Sequence, residues 1–193
     1  MTAPLIGLVG RARSGKDTLA DLLVEQHGYT KLAMADRLRE MATDIDPVVG
    51  AETASPYTSA RLIRYSDAVG TLGYERAKDV YPELRRFLQR LGTEGVRKHL
   101  GADVWVRMAE RRMGSTDGPL VFTDIRFPNE ADMIRRNGGV IIAVDRGGRG
   151  DGHVSEDLDQ LVAEADRVIA NHGTLAEYLA EVERTIADIL NGD

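Results

Sequence analysis

The chain has 193 residues with a formal net charge of −6, 42% hydrophobic residues, 29% charged residues and 5% aromatics, the composition of a single soluble globular domain rather than a disordered, collagenous or membrane-embedded one. It contains no cysteine and only four histidines, scattered at His27, His99, His153 and His172 without the spacing of a zinc site, which excludes a disulfide framework, a thiolate nucleophile and a histidine-held zinc centre. The charge is uneven: Ala60 to Arg112 holds 12 Lys and Arg against 7 Asp and Glu, so the rest of the chain carries −11. A basic middle in an acidic chain fits a small anion better than a polyanion groove, and no basic helix or aromatic series points to nucleic acid. No apolar run reaches the roughly 18 residues of a membrane span, and the start lacks a signal-peptide pattern, so the expectation is a cytoplasmic protein.

In chain order, Pro4–Gly10 (PLIGLVG) is a near-continuous apolar run, the signature of a strand buried on both faces of a parallel sheet. Leu19, Leu22 and Leu23 then recur at helical spacing up to His27 and Gly28, where the glycine fits a C-terminal cap. Tyr29–Ala35 is predicted as a second short strand, with Asp36 as the cap of a helix DRLREMATDI. Residues 47–115 show no alternating apolar pattern and are predicted as helices with loops. The sheet resumes at 119–124 (PLVFTD) and 139–145 (GVIIAVD), which flank a helix PNEADMIRRN. Four glycines in RGGRGDG at 146–152 predict a mobile loop. Ser155 with Glu156 and Asp157 predicts a helix start, 166–170 a last strand, and Leu175, Tyr178, Leu179, Val182, Ile186, Ile189 and Leu190 one apolar stripe of a closing helix with Thr174 as cap. Strands alternating with helices imply a three-layer α/β fold around a mostly parallel sheet. The tripeptide Arg149–Gly150–Asp151 matches a cell-adhesion motif, but nothing else in the sequence is extracellular in character.

The chemistry starts at Gly10–Asp17. GRARSGKD fits the phosphate-binding pattern G-x-x-x-x-G-K, with Asp17 in place of the usual Ser or Thr. A buried strand ends where it begins and an amphipathic helix starts where it finishes, so backbone N–H groups and the helix dipole converge on an anion. Arg13, Ser14, Gly15, Lys16, Asp17 and Thr18 are therefore candidates for holding ATP, with Lys16 reaching the β and γ phosphates. Asp124 ends an apolar strand and joins Asp17 as a candidate Mg²⁺ ligand.

With these elements the chain resembles the deoxynucleoside monophosphate kinases of tailed bacteriophages, within the wider P-loop nucleoside monophosphate kinase group. The resemblance runs through SGKDT (14–18), LAMADRLREM (32–41), LQRLGTEGVR (88–97), DVWV (103–106), TDIRFPNE (123–130), HVSE (153–156) and VIANHGTLAEYL (168–179). It implies a P-loop NTPase fold in one domain over 1–193, a five-stranded parallel sheet of order 2-3-1-4-5, a helical substrate-binding insertion at 47–115 and a lid at 146–155. It also implies Mg²⁺-dependent transfer of the ATP γ-phosphoryl group to a deoxynucleoside 5′-monophosphate in the cytoplasm, that of the host if the chain is phage-encoded, with small-molecule nucleotide partners and a homodimer left open. A P-loop kinase for another small acceptor, such as dephospho-coenzyme A, and a non-catalytic ATP-binding regulatory module are the alternatives.

Carried onto this sequence, the resemblance places Arg126 between donor and acceptor phosphates, where the alternative is a surface salt bridge. Arg39, Gln89, Thr93 and Arg97 become acceptor contacts, against a solvated helix face. Trp105 is a base-stacking residue or a core anchor; Glu130 orients the acceptor or serves helix electrostatics; Asp36 accepts a proton or caps its helix. Arg146 and Arg149 are lid cations, and Asn171 and Gly173, beside His172, form the adenine-side loop.

Overall fold

The computed structural model describes residues 3–53, 59–147 and 158–192. The chain divides into two compact units, one formed by Met1–Met34 with Ala102–Asp193 and the other by Ala35–Gly101.

The first unit is built on five parallel strands: β1 (Ile6–Val9), β2 (Thr30–Leu32), β5 (Leu120–Ile125), β6 (Val140–Asp145) and β7 (Arg167–Ala170), in the order β2-β5-β1-β6-β7. Counted among themselves the strands run 2-3-1-4-5, as expected. Alternate residues of each strand feed opposite layers, which is why β1 reads as an unbroken apolar run. Ile6, Leu8, Val121, Ile142, Val144 and Ile169 meet Leu19, Leu22 and Leu23 of α1 (Lys16–His27) and Tyr178, Val182, Ile186 and Ile189 of α10 (Leu175–Asn191). On the other face Val9, Phe122, Ile125, Ile141 and Ala143 pack with Val106 and Ala109 of α7 (Val104–Met113), Ala131, Met133 and Ile134 of α8 (Pro128–Arg136), and Leu161 of α9 (Asp159–Ala163). Gly28 closes α1 in the left-handed conformation, and Thr174 caps α10 with a reciprocal bond to Glu177.

The second unit contains α2 (Asp36–Ile45), a two-stranded antiparallel hairpin of β3 (Val48–Glu52) and β4 (Arg61–Arg64), α3 (Tyr65–Leu72), α4 (Tyr74–Val80), α5 (Pro82–Gln89), a π-helix (Arg90–Arg97) and α6 (Lys98–Leu100). Its core gathers Ala42, Val49, Ile63, Tyr65, Ala68, Ala77, Leu84 and Leu88. The hairpin corrects the expectation of helices alone: one residue per strand, Val49 and Ile63, is buried, so no alternating pattern survives. The unit boundaries also differ from 47–115, because α2 belongs to the inserted unit and α7 to the sheet. Asp36 is the first residue of α2 rather than its cap; Ala35 occupies the cap position without a side-chain bond.

Candidate active site

Because the five strands are parallel, their carboxyl ends share one edge of the sheet, where α/β proteins bind ligands. Five connections leave that edge, beginning at Gly10 after β1, Ala33 after β2, Arg126 after β5, Arg146 after β6 and Asn171 after β7.

The loop after β1 has a strained backbone of the kind that suits an anion cradle. Gly10 has φ 156° and Gly15 φ 112°, and Arg13 takes φ 61°, a conformation that side-chain-bearing residues rarely adopt. A Cβ on Gly10 would lie 2.6 Å from Val144 O. Ser14 is 2% exposed, and its Oγ has no hydrogen-bond partner among the described residues. Lys16 opens α1 and its Nζ donates to Arg11 O at 2.8 Å. Such strain and an unsatisfied buried hydroxyl are features of loops shaped around a ligand.

A cleft of about 320 Å³ adjoins this loop, lined by Arg13, Gly15, Asp17, Thr18, Arg146, Asn171, Gly173, Leu175 and Tyr178. It brings together six of the eight candidate ATP-binding residues; Ser14 lies beneath them, and Lys16 is half-buried. Arg146, read from the sequence as a lid cation, donates from its guanidinium to Arg13 O at 3.2 Å. Leu175 was expected in the apolar stripe of α10, yet it is 66% exposed and lines the cleft instead. Tyr178 belongs to the stripe, but its hydroxyl donates to Gly15 O at 2.8 Å. Burial, reinforced by the charge of Asp17, pushes its phenol up to about 12.

Asp124 sits where β5 is irregular. Gly7 pairs with Phe122 but Val9 with Ile125, so one extra residue enters β5 just before its end. A bulge of this kind re-aims side chains at sheet rims. Asp124 Oδ1 accepts from Met34 N at 2.7 Å, which ties the end of β5 to the chain leaving β2. No group of three or more His, Asp or Glu converges among the described residues. Carboxylates such as those of Asp17 and Asp124 are hard-oxygen donors of the kind that hold Mg²⁺ together with substrate phosphates and water.

Glu130 is 3% exposed, and its Oε2 accepts from Arg126 N at 2.8 Å and Phe127 N at 3.2 Å. A carboxylate committed to two backbone amides fixes the turn that carries Arg126. Trp105 is 6% exposed and acts as a buried anchor of α7 rather than an open stacking surface. In the second unit Arg39 stacks at 4.4 Å on the Tyr74 ring, which Lys78 also approaches at 4.5 Å, and lies 3.5 Å from Asp36. Gln89 ends α5, while Thr93 and Arg97 lie in the π-helix, a form that recurs at functional sites. Arg149 and most of the expected lid, with the expected helix start at Ser155, lie outside the described residues.

The sequence pattern of the deoxynucleotide monophosphate kinase family fits residues 77–182, more than half of the chain. The chain belongs to that family. It is thereby a kinase. A protein of Acanthamoeba polyphaga mimivirus, described provisionally as a deoxynucleotide monophosphate kinase, is 28% identical over 92% of this chain and 93% of its own. The deoxynucleoside-5′-monophosphate kinase of Escherichia phage T5 is 26% identical over 68% of this chain and 71% of its own. Among solved structures, TT1252 from Thermus thermophilus is similar at a TM-score of 0.51 and 22% identity, covering 100% of this chain and 98% of that one, which concerns the fold alone. No helix among the described residues is long and apolar enough to cross a membrane.

Proposed function

We propose that this family member transfers the γ-phosphoryl group of ATP to a deoxynucleoside 5′-monophosphate, giving ADP and a deoxynucleoside diphosphate. The observation that carries the reading is the strained loop Gly10–Gly15, with an orphaned Ser14 hydroxyl and Lys16 at the start of α1. Phosphoryl transfer needs little covalent help; positioning and charge neutralisation supply most of the rate. The loop amides and Lys16 would hold the β and γ phosphates, and Arg126, on a turn fixed by Glu130, would bridge donor and acceptor phosphates with its two-pronged guanidinium. Asp17 and Asp124 would hold Mg²⁺, whose charge offsets that building on the leaving phosphate. Asp36, Arg39, Gln89, Thr93 and Arg97 would bind and orient the acceptor, and Arg149 would close over the phosphates and exclude water.

The deciding experiment is ADP release by purified protein with ATP and Mg²⁺, run against each common ribo- and deoxynucleoside monophosphate with a no-acceptor control. At least one deoxynucleoside monophosphate should be phosphorylated, and Lys16→Ala should abolish turnover without unfolding the chain. Hydrolysis that ignores every acceptor would sink the reading.

A further inference from the structure

A trans peptide unit is planar and points its C=O and N–H in opposite directions, so a hydrogen bond that fixes one carbonyl also aims the next residue's N–H. Two consecutive peptides of the loop are fixed this way from elsewhere in the chain. Ser14 O accepts from Asn171 Nδ2 at 2.7 Å, and Gly15 O accepts from the Tyr178 hydroxyl at 2.8 Å. The donors lie 157 and 163 residues along the chain from their acceptors.

We infer that Asn171 and Tyr178 are positioning residues of the kinase, a brace that holds the Ser14–Gly15 and Gly15–Lys16 peptides with the N–H groups of Gly15 and Lys16 turned toward the phosphates. The inference rests on the reading of this loop as the phosphate cradle. Gly15 O also accepts from Leu19 N at 3.1 Å in the first turn of α1. Tyr178 therefore takes a second lone pair and fixes an orientation rather than rescuing an orphaned carbonyl. A Cβ on Gly15 would fall 2.8 Å from Asn171 Nδ2 and 2.9 Å from the Tyr178 hydroxyl oxygen, so the close approach of both donors itself demands a glycine there. The Tyr178 phenol, pushed up by burial, stays protonated and able to donate over any ordinary assay range. The brace also joins two tasks: the segment after β7 lines the cleft on one side and sets the phosphate amides on the other.

Tyr178→Phe is the clean test, because the ring stays in the core with Leu19, Leu23 and Val182 while only the hydroxyl leaves. Asn171→Ala tests the neighbouring peptide. Calorimetric titration with magnesium tripolyphosphate, which has no base or sugar, and with MgATP should show both ligands bound about fivefold more weakly in each variant, the worth of one net hydrogen bond. The unliganded Tyr178→Phe chain should melt close to wild type. The ligand-induced shifts of the Gly15 and Lys16 amide resonances should shrink in both variants.

A loss for MgATP with none for tripolyphosphate would place Tyr178 against the nucleoside instead and overturn the brace. Lost thermal stability with unchanged affinities would reduce it to packing and do the same. A wild type that binds tripolyphosphate but phosphorylates no monophosphate would remove the proposed reaction and leave the brace standing. A wild type that binds no tripolyphosphate would remove both.

Discussion

At the scale of single residues, the departures from pattern carry most of the information. Asp17 stands where the common loop has a metal-binding hydroxyl, and it lines the cleft beside Thr18. Thr18 lines the same cleft, but one step along a helix turns its side chain by roughly 100° from that of Asp17. Asp17→Asn should raise the Mg²⁺ concentration for half-maximal rate and lower kcat, whereas Asp17→Ser should retain more activity; an Mg²⁺ titration of the rate checks both, and an unaltered Asn variant would leave Asp124 as the main carboxylate. Glu130 carries a different kind of risk. Truncating it to Ala strands the Arg126 and Phe127 amides that its carboxylate accepts from, an expected loss of about 2–4 kcal/mol in urea unfolding. Glu130→Gln, whose amide oxygen still accepts, should recover part of that stability and part of kcat. The sequence marks the Glu130 position but not its role, because an acid in a helix's first turn is ordinary until its partners are seen. Tyr178 was legible only as a core residue; the helical period locates its ring but not the carbonyl its hydroxyl reaches.

At the scale of elements, legibility follows the strength of local pattern. The doubly buried strands β1, β5 and β6 and the capped helices α1 and α10 announce themselves by apolar runs, a closing glycine and a capping threonine. The hairpin β3–β4 does not, since Val48 and Leu62 are exposed and one residue per strand is buried. The π-helix is silent as well: its i→i+5 bonding draws on the same residue types as the α-helix it extends. It is also testable. A Cβ on Gly95 meets nothing closer than Arg90 O at 3.5 Å, an ordinary contact, while one on Gly92 would press on Leu38 at 3.0 Å. Gly95→Ala should therefore stabilise the chain by about 0.5–1 kcal/mol, and Gly92→Ala should not, as paired urea curves would show. A gain for Gly92→Ala equal to that for Gly95→Ala would mean that Leu38 does not restrain the π-helix.

At the scale of the whole molecule, one buried layer predicts the response to alkali. Tyr29 and Tyr178 share the core cluster between the sheet and the layer of α1 and α10. Burial pushes both phenols up to about 12. The unfolded chain ionises its tyrosines near their usual value of about 10 and so binds fewer protons than the folded chain above that pH. Stability from these groups is complete below about pH 10 and is lost as pH rises toward about 12. Urea midpoints should fall across that window, less so in Tyr178→Phe, while tyrosinate absorbance should show the Tyr29 and Tyr178 phenols ionising late. A midpoint that holds steady to pH 12 would contradict the burial of these rings. The topology was legible from strand and helix alternation together with family resemblance. The division of the chain was not, because neither α2 nor α7 carries in its own sequence the identity of the core that receives its apolar face.

The strand order has a consequence for how the molecule comes into being. Ile6 of the central strand pairs with Val121 on one side and Val140 on the other, so β1 is synthesised long before either neighbour. At about 5–20 residues per second the ribosome leaves it unpaired for on the order of ten seconds. The phosphate loop is thus written early and built late, and its assembly waits on closure of a long chain loop. Prior ordering of 35–101 shortens that loop, so the Gly95→Ala chain is expected to refold its sheet faster, with the single tryptophan, buried Trp105, as a fluorescent reporter in stopped-flow. Equal refolding rates would mean that the sheet closes without help from the inserted unit, and that the loop's birth is governed by the strands alone.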